Sequence, residues 1–343
     1  MHKPRILTGH RPTGPRHLGH LVGTLETWAK LQDSHECFFL VADLHVLTTN
    51  YHPAQLQDNI LNMLADWLAA GIDPDRSTLV LQSIIPEHAQ LSLLLGMLTT
   101  VARLERIPTY KEQARELHLQ PSAGLLTYPV LQAADILLYK ARIVPVGEDQ
   151  LPHIELAREL ARRFNQTFGK TLPEPRALLS DVPRLPGTDN RTMHTSYGNA
   201  IFLKDSPEET TRKVMGMYTD PTRLHPDDPG HVDGNPVFSL LDVFHADQAE
   251  LAELKARYTA GRVGDVEVKE TLARSLNRHL APLRERRAEF IAQPRRLIEL
   301  LHSGTVKAKF EAQHTLEEIH EKMGLMHSQS ISEKALAKDI AGV

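Results

Sequence analysis

The chain has 343 residues with a formal net charge of −4, a hydrophobic fraction of 41% and one cysteine, Cys37. This length can bury the core of two domains or of one elaborated domain, while a single cysteine excludes an internal disulfide and a multi-thiolate zinc site. The chain lacks the basic excess of a protein that coats nucleic acid, so we expect no DNA partner. No apolar run approaches the ~20 residues that cross a bilayer, so we expect a cytoplasmic protein without a membrane partner.

The first stretch with recognisable chemistry covers residues 5–20. A short apolar run predicts a buried strand that breaks at Gly9, and a turn rich in proline and glycine leads to a helix that begins near His17. Unpaired amides and the positive end of the helix dipole face this turn, so the arrangement predicts an anion site.

His17 and His20 share one face of the first helical turn, with Gly19 between them. Two imidazoles beside a phosphate can donate hydrogen bonds to developing negative charge, and a glycine lets a flat ring approach the backbone. A plain loop with two surface histidines is the alternative interpretation. The segment lacks a dinucleotide fingerprint and a Walker lysine, and its H-x-G-H pattern resembles the nucleotidyl-transfer group that includes class I aminoacyl-tRNA synthetases and small adenylyltransferases.

Strands and helices alternate along the next part of the chain. The apolar run at residues 36–43 predicts a strand covered on both faces, and His45 follows it at the end where open α/β sheets place their ligands. An amphipathic helix at 53–70, a third strand at 78–82 and a helix from about residue 88 to 104 come next.

Asp135 is a lone carboxylate in an apolar helix that we expect to begin near Pro129. A carboxylate on an apolar face is costly unless a partner pairs with it. Asp135 either points to solvent or forms an acceptor at the end of an apolar pocket, where it selects a ligand N–H or O–H.

A fourth strand and its exit occupy residues 141–150. Gly147 allows a close approach to the backbone, and Asp149 can accept hydrogen bonds from the two hydroxyls of a ribose. With the helix at 153–164, the alternation predicts an α/β fold with a Rossmann-like, doubly wound parallel sheet.

Residues 172–199 are rich in proline and glycine and lack periodicity, which predicts a mobile loop and a domain boundary. Only helices are predicted beyond it, with Asp247 as an N-cap, so the C-terminal half is an all-helical domain. We therefore divide the chain into a catalytic domain at 1–187, a loop with a helical domain at 188–330 and a disordered tail at 331–343. The predicted helices of the second half cover 207–218, 237–244, 247–258, 266–292, 294–302 and 306–323.

Three separated segments resemble the bacterial type of class I tryptophanyl-tRNA synthetases. Residues 12–20 are similar to the first signature of that family, residues 128–139 with 144–150 to its middle block, and residues 193–199 to its KMSKS loop. The resemblance covers residues 6–325, and the middle block is its most specific part.

The resemblance implies activation of L-tryptophan by ATP, with Mg²⁺ carried by the nucleotide rather than by protein side chains, and then transfer to tRNA(Trp). It also implies a homodimer whose helical domain reads the anticodon, which agrees with a basic set formed by Arg284, Arg286, Arg287, Arg295 and Arg296.

The resemblance assigns three sets of site residues. The catalytic set is His17, His20 and Ser196. The ATP set is Gly9, Arg11, Pro12, Thr13, Gly19, His20, Gly147, Glu148, Asp149, Thr192, Met193, His194, Thr195 and Ser196, with Gly147 and Asp149 at the ribose. The tryptophan set is His45, Tyr128, Gln132, Asp135, Val146 and Gln150, with Tyr128 and Gln150 at the ammonium group, His45 beside the indole and Asp135 accepting the indole N–H.

The late loop departs from the family pattern. The family has Lys-Met-Ser-Lys-Ser where this chain has Thr-Met-His-Thr-Ser at residues 192–196. In addition, residues 110–113 contain one lysine, Lys111, and lack the second lysine found in relatives. Losing a positioned cation at a phosphoryl transition state costs ~10²–10³ in rate, so we predict slower activation than in a lysine-bearing relative. Partial compensation is expected from His17, His20, His194, Arg11 and Arg16.

Three other functions remain open at this stage. A tyrosine enzyme of the same class is one, because Gln132 with Asp135 also suits a phenol hydroxyl. A paralogue that binds tryptophan or adenylate as a regulatory or partner protein is the second, and Asp149 with Gln150 argues against it. A small adenylyltransferase is the third, and the helical C-terminal half argues against that one.

Overall fold

The structure is a computed structural model that describes residues 3–48, 53–108, 110, 122–179, 184–223, 225 and 227–326. A five-stranded parallel sheet lies at its centre, which confirms the predicted α/β fold. The strands are β1 (Arg5–His10), β2 (Glu36–Val41), β3 (Ser77–Leu81), β4 (Ile143–Val146) and β5 (Arg176–Leu179). They lie in the order β3-β2-β1-β4-β5.

Helices cover both faces of the sheet. In β2, Phe38 belongs to one apolar core and Phe39 to the other, because successive side chains of a strand point to opposite faces. The helices of the first half are α1 (Leu18–His20), α2 (Glu26–Leu31), α3 (Asp43–Val46), α4 (Leu56–Ala69), α5 (Glu87–Gly96), α6 (Val101–Leu104), α7 (Ala123–Leu138) and α8 (Leu151–Phe168).

The second half of the described chain is helical, as predicted, and Asp247 caps a helix there by accepting from the N–H groups of Ala249 and Glu250. The helices are α9 (Pro207–Met215), α10 (Pro236–Phe244), α11 (Gln248–Thr259), α12 (Asp265–Ile291) and α13 (Pro294–Met323). The domain boundaries at 187/188 and 330/331 stay a prediction, and residues 331–343 lie outside the described part.

Two strand predictions were wrong. Strand β1 does not break at Gly9 but continues to His10, because Gly9 pairs with Leu40 so closely that a Cβ there would lie 2.1 Å from the Leu40 carbonyl oxygen. The expected loop at 172–199 contains strand β5, whose Leu178 and Leu179 are both exposed. An edge strand without a buried face gives no apolar alternation, so its sequence carried no strand signal.

Three helix predictions were also wrong. Helix α7 begins at Ala123 rather than near Pro129, with Ser122 as the N-cap. The helix expected from 88 to 104 is two helices, α5 and α6. The two helices expected at 294–302 and 306–323 are the single helix α13.

Helix α13 packs against β3 and covers that edge of the sheet. A Cβ on Gly304 would lie 2.3 Å from the carbonyl oxygen of Leu79, so this glycine permits close packing rather than ending a helix. The Thr305 hydroxyl accepts the backbone N–H of Leu81 over 2.9 Å. In the part of the chain that is described, we find no helix both long and apolar enough to span a bilayer.

Three of the five arginines in the basic set are half-buried or bond to groups of other helices, and their role toward tRNA stays a prediction. Arg287 pairs with Asp66, Arg286 donates to the carbonyl of Ala69, and Arg284 donates to Thr210 and Asn277. Arg295 and Arg296 are exposed. The packing of α12 on α4 uses the guanidinium groups of Arg286 and Arg287, and its packing on α9 uses that of Arg284. The charge pattern of the sequence could not show these contacts.

Candidate active site

The candidate residues gather at the carboxyl ends of β1, β2 and β4. His10 ends β1, helix α3 with His45 follows β2, and Gly147 follows β4. Strand β1 lies between β2 and β4. The chain adds β2 and β3 on one side of β1, and it later returns to add β4 and β5 on the other side. This reversal opens a crevice, the usual place for a ligand in such a sheet.

His17 and His20 contact each other at the start of α1. Their ring centroids are 3.9 Å apart, and the backbone N–H of His17 donates to Nδ1 of His20 over 3.3 Å. Burial, with a smaller contribution from Arg16, lowers the pKa of His17 to about 3 and the pKa of His20 well below its usual value. Both rings are neutral at pH 7, so they can donate hydrogen bonds to a phosphate but do not replace the charge of a lysine. A Cβ on Gly19 would lie 3.1 Å from the His17 ring, so this imidazole itself lies against the glycine.

A π-helical turn, Leu21–Leu25, joins α1 to α2. Within it, the Thr24 hydroxyl donates to the carbonyl of His20 over 2.7 Å and lies 3.2 Å from Nε2 of His10. The Trp67 indole N–H donates to Nδ1 of His10 over 3.2 Å, so Nε2 of His10 carries the proton and donates to Thr24. This series of hydrogen bonds fixes the turn that carries His20. Among nineteen histidines, no local pattern distinguished His10.

Distant parts of the chain hold the turn before α1. Asp66 on α4 accepts the backbone N–H of Arg16 over 3.0 Å. The segment after the late loop pairs with the same turn, since Leu18 donates to the carbonyl of Ile201 over 3.0 Å and Leu203 donates to that of Arg16 over 2.9 Å. The first and third predicted motifs are therefore neighbours in space. The Arg16 guanidinium donates to the carbonyls of Gly14 and Arg11, which leaves it inside the turn.

The late loop at 192–196 is organised by Asn199, which is buried. Its side chain accepts the backbone N–H of His194 over 2.9 Å and donates to the carbonyl of Thr192 over 3.1 Å. Met193 is buried. A Cβ on Gly14 would lie 3.8 Å from the Thr195 methyl group, so the late loop contacts the proline- and glycine-rich turn before α1. The side chain of Ser196 and residues 111–113 lie outside the described part of the structure.

The exit of β4 forms a polar chain. The Asp149 carboxylate accepts from Arg184 over 3.0 Å and from the Gln150 side chain over 2.8 Å, and Gln132 donates to Gln150 over 3.2 Å. A Cβ on Gly147 would lie 2.8 Å from an oxygen of Asp149, so this glycine makes room for the carboxylate. The sequence placed Gly147, Asp149 and Gln150 in one cluster but gave no sign of Arg184, which lies 35 positions from Asp149.

Asp135 is buried among three donors. His45 lies 2.8 Å from Oδ2, Nδ1 of His88 lies 2.6 Å from Oδ1, and the Gln82 amide lies 2.9 and 3.0 Å from the two oxygens. Burial opposes the charge, but the hydrogen bonds from the two histidines outweigh it and hold the pKa of Asp135 well below its usual value. The outward-pointing interpretation was wrong, and the carboxylate is a buried, ionised acceptor. His88 and Gln82 come from other elements, so the sequence around Asp135 gave no sign of them.

Tyr128 lies between the two polar groups. Its hydroxyl is 2.9 Å from Nε2 of His153, and its ring meets that of His45 edge-on with centroids 6.3 Å apart. Burial lowers the pKa of His153 to about 4, so this histidine is neutral at pH 7.

The remaining assigned residues lie around these groups. On the first turn Arg11 and Thr13 are exposed and Pro12 is buried. Val146 ends β4 half-buried, and Glu148 is exposed at the start of the following 3-10 turn. Over the described residues, no group of three or more His, Cys, Asp or Glu side chains is arranged to hold a metal ion.

Comparison with known proteins gives a consistent result. Residues 1–281 match the family model described as tRNA synthetases class I (W and Y). The chain is 51% identical to the tryptophan–tRNA ligase of Treponema pallidum over 94% of its own length and 97% of the relative. It is 46% identical to that of Thermotoga maritima, over 94% and 99% of the two chains. The crystal structure of tryptophanyl-tRNA synthetase from Campylobacter jejuni, complexed with ADP and tryptophan, superimposes with a TM-score of 0.84 and 36% identity, covering 94% and 100% of the two chains.

Proposed function

The chain belongs to the tryptophan–tRNA ligases within the class I tRNA synthetases for tryptophan and tyrosine, and from this we propose that it activates L-tryptophan with ATP and transfers it to tRNA(Trp). The enzyme is a ligase that uses ATP. The observation that carries the amino-acid pocket is the buried, ionised carboxylate of Asp135 beside His45, an acceptor for a substrate N–H or O–H.

The first turn supports ATP binding through His17 and His20. Nδ1 of His17 is buried and finds no hydrogen-bond partner among the residues that the structure describes. A neutral imidazole can offer an N–H to a phosphate oxygen or accept from the nucleotide. The Pro12–Thr13 turn and the late loop lie beside this atom. An unpaired Nδ1 of His17 at this place therefore supports a nucleotide site in the crevice.

The exit of β4 supports ribose binding. Asp149 is exposed and accepts hydrogen bonds from Gln150 and Arg184, and a carboxylate can accept from two vicinal hydroxyls. We assign Mg²⁺ to the triphosphate, where it would offset the negative charge of the leaving pyrophosphate.

The tryptophan pocket would lie between Asp135, His45 and Tyr128. Asp135 accepts the indole N–H, and Tyr128, Gln132 and Gln150 bind the ammonium group. An ionised acceptor does not distinguish an N–H from a phenol O–H, so the relatives decide against the tyrosine alternative, and the three described above are named for tryptophan.

We propose slow activation as a property of this chain. Thr192 and Thr195 stand where the family has lysines. His17 and His20 are neutral and Arg16 is engaged inside the turn, so most of the compensation expected from the sequence is lost. Arg11 is exposed on the turn and is the cation best placed to assist.

We also propose that the protein is cytoplasmic, since tRNA charging supplies the ribosome.

We further propose that it forms a homodimer. The segment of α5 and α6 exposes three large apolar side chains, Leu93 at 64%, Met97 at 68% and Val101 at 59%. A cluster of this kind is typical of a protein interface. Replacing Met97 by Glu would convert a dimer into a monomer in light scattering, and an unchanged mass would contradict this interface.

The test of the proposed function is ATP–pyrophosphate exchange with tryptophan and tyrosine in parallel. We expect exchange with tryptophan alone and its loss in Asp135→Ala. Asp242→Ala, which removes an exposed carboxylate in the helical half, is the matched control. Exchange with tyrosine alone would move the substrate to the rival enzyme. Tryptophan binding without exchange would indicate a binding protein instead.

A further inference from the structure

We propose that His88 is a positioning residue for the amino-acid pocket, and that with the hydroxyl of Tyr139 it orients Asp135 so that the carboxylate selects a substrate N–H. The inference rests on the proposed function, in which Asp135 accepts the indole N–H. Nothing in the local sequence assigns a role to His88 or Tyr139.

Both ring nitrogens of His88 are used. Nδ1 lies 2.6 Å from Oδ1 of Asp135, and Nε2 lies 2.8 Å from the hydroxyl of Tyr139. An ionised carboxylate only accepts, so Nδ1 carries a proton and Nε2 can accept from the tyrosine hydroxyl. Any rotation of the imidazole would break two buried hydrogen bonds.

The three residues join two helices into one rigid unit. Asp135 lies on α7 and Tyr139 is the C-cap of that helix, four positions later, so the two side chains share a face. His88 projects from the first turn of α5 and bridges them. His88 and Tyr139 are fully buried and Asp135 is 2% exposed, so water cannot replace a lost donor.

The two oxygens of Asp135 have different surroundings. Oδ1 accepts from His88 on the interior side, while Oδ2 accepts from His45. His45 meets the ring of Tyr128, which lies in the proposed pocket. Gln82 contacts both oxygens, and its own carbonyl accepts the N–H of Leu44, which fixes the orientation of its amide. His88 therefore fixes Oδ1, and in our proposal the substrate N–H is accepted at Oδ2, on the side where His45 and Tyr128 lie.

The experiment compares tryptophan with 3-(3-benzothienyl)alanine, in which sulfur replaces the indole N–H. The measured quantity is the ratio of kcat/KM for the two amino acids in pyrophosphate exchange, with ATP held saturating. We expect wild type to prefer tryptophan by at least ~10²-fold, because a site built for an N–H leaves its acceptor unpaired with the analogue.

The variants separate positioning from a merely structural role. His88→Leu is expected to lower the ratio at least ~10-fold, and Tyr139→Phe, which removes one hydroxyl and keeps the ring, about threefold. His88→Asn, whose amide can donate to Oδ1, is expected to retain most of the ratio. In all three, the KM for ATP stays within about twofold of wild type. His245→Leu, which removes a histidine bonded to Ser275 in the helical half, is the matched control and leaves the ratio unchanged.

Three outcomes would overturn the inference. If the variants lose activity toward both amino acids equally, the ratio is unchanged and His88 has a structural role only. If wild type uses both amino acids equally, Asp135 does not accept the indole N–H. The assignment of Asp135 as that acceptor then fails, and the inference about His88 fails with it. If His88→Leu does not fold, Tyr139→Phe decides, and an unchanged ratio in it contradicts the inference. Should wild type show no exchange at all, the proposed function fails, and the ratio of the two dissociation constants from calorimetry tests His88 in the same variants.

Discussion

Nε of Arg287 on α12 lies 2.6 Å from Oδ1 of Asp66 on α4, while the other oxygen of Asp66 accepts the backbone N–H of Arg16 in the turn before α1. One buried carboxylate thus joins the helical half of the molecule to the turn before His17. From this pairing we expect a substitution of Arg287, far from this turn in sequence, to affect ATP binding.

Replacing Arg287 by Met is expected to lower the free energy of unfolding by about 3–5 kcal/mol, because it leaves the Asp66 carboxylate buried without its cation. The KM for ATP should rise while the KM for tryptophan changes little, since Asp66 holds the nucleotide turn. Urea unfolding and pyrophosphate exchange measure the two effects. Arg295→Met is the control, because its partner Glu299 is exposed and such surface pairs contribute little. Equal losses in both variants would contradict the prediction.

Restoring lysines to the late loop is expected to accelerate activation. The double variant Thr192→Lys with Thr195→Lys should raise the rate of pyrophosphate exchange by ~10²-fold, because a positioned cation stabilises the charge of the transition state. Thr259→Lys adds one lysine at an exposed site of α11, far from the late loop in sequence, and should leave the rate unchanged. A rate in the double variant equal to wild type would mean that another group already supplies this charge.

Gly304→Ala is expected to destabilise the fold by more than about 2 kcal/mol. The new Cβ would meet the backbone of β3, which cannot move without disturbing the sheet. At an open helical position the same change is neutral or stabilising by up to about 1 kcal/mol, so Gly96→Ala, which has nothing within 4 Å of its Cβ, is the matched control. Thermal unfolding of the two variants gives the comparison, and similar midpoints would contradict the packing described for α13.

Stability is expected to fall as the pH drops below about 6.5. Burial lowers the pKa of His17 to about 3 and that of His153 to about 4, and it also lowers those of His10 and His20. The unfolded chain therefore takes up protons first, near the ordinary histidine pKa of about 6.5, which favours unfolding by up to about 1.4 kcal/mol per pH unit for each such group.

Urea unfolding at several pH values between about 8 and about 5 measures this slope. His153→Asn removes one of the titrating groups and should make the slope shallower, whereas replacing the exposed His302 by Asn should not. A stability that stays constant across this range would show that the buried histidines titrate alike in the folded and unfolded chains.

The sequence predicted those features that depend on local patterns. The apolar run of β2 indicated a strand with two buried faces, which the structure bears out. The lone carboxylate of Asp135 left two interpretations open, and the structure favours the buried one. Features that depend on contacts between distant segments were missed. His88 and Asp135 are 47 positions apart, and the single helix α13 was predicted as two helices separated by residues 303–305, where Gly304 packs on Leu79.

Strand β5 illustrates a different limit. It is paired along one side with β4 and exposes its leucines, so its stability comes from backbone hydrogen bonds rather than from an apolar face. Patterns of hydrophobicity report burial, and they are silent about strands held mainly by pairing.

The packing of α13 on β3 has a consequence for solubility. An open edge strand presents free N–H and C=O groups to any other extended chain, which is a common start of aggregation. Here the helix lies over that edge, and the Thr305 hydroxyl takes up the N–H of Leu81. A chain that ended before Pro294 would keep every residue of the proposed active site but expose the backbone of β3, and we would expect it to associate through that strand. Helix α13 therefore prevents the folded enzyme from associating with other copies through the edge of β3.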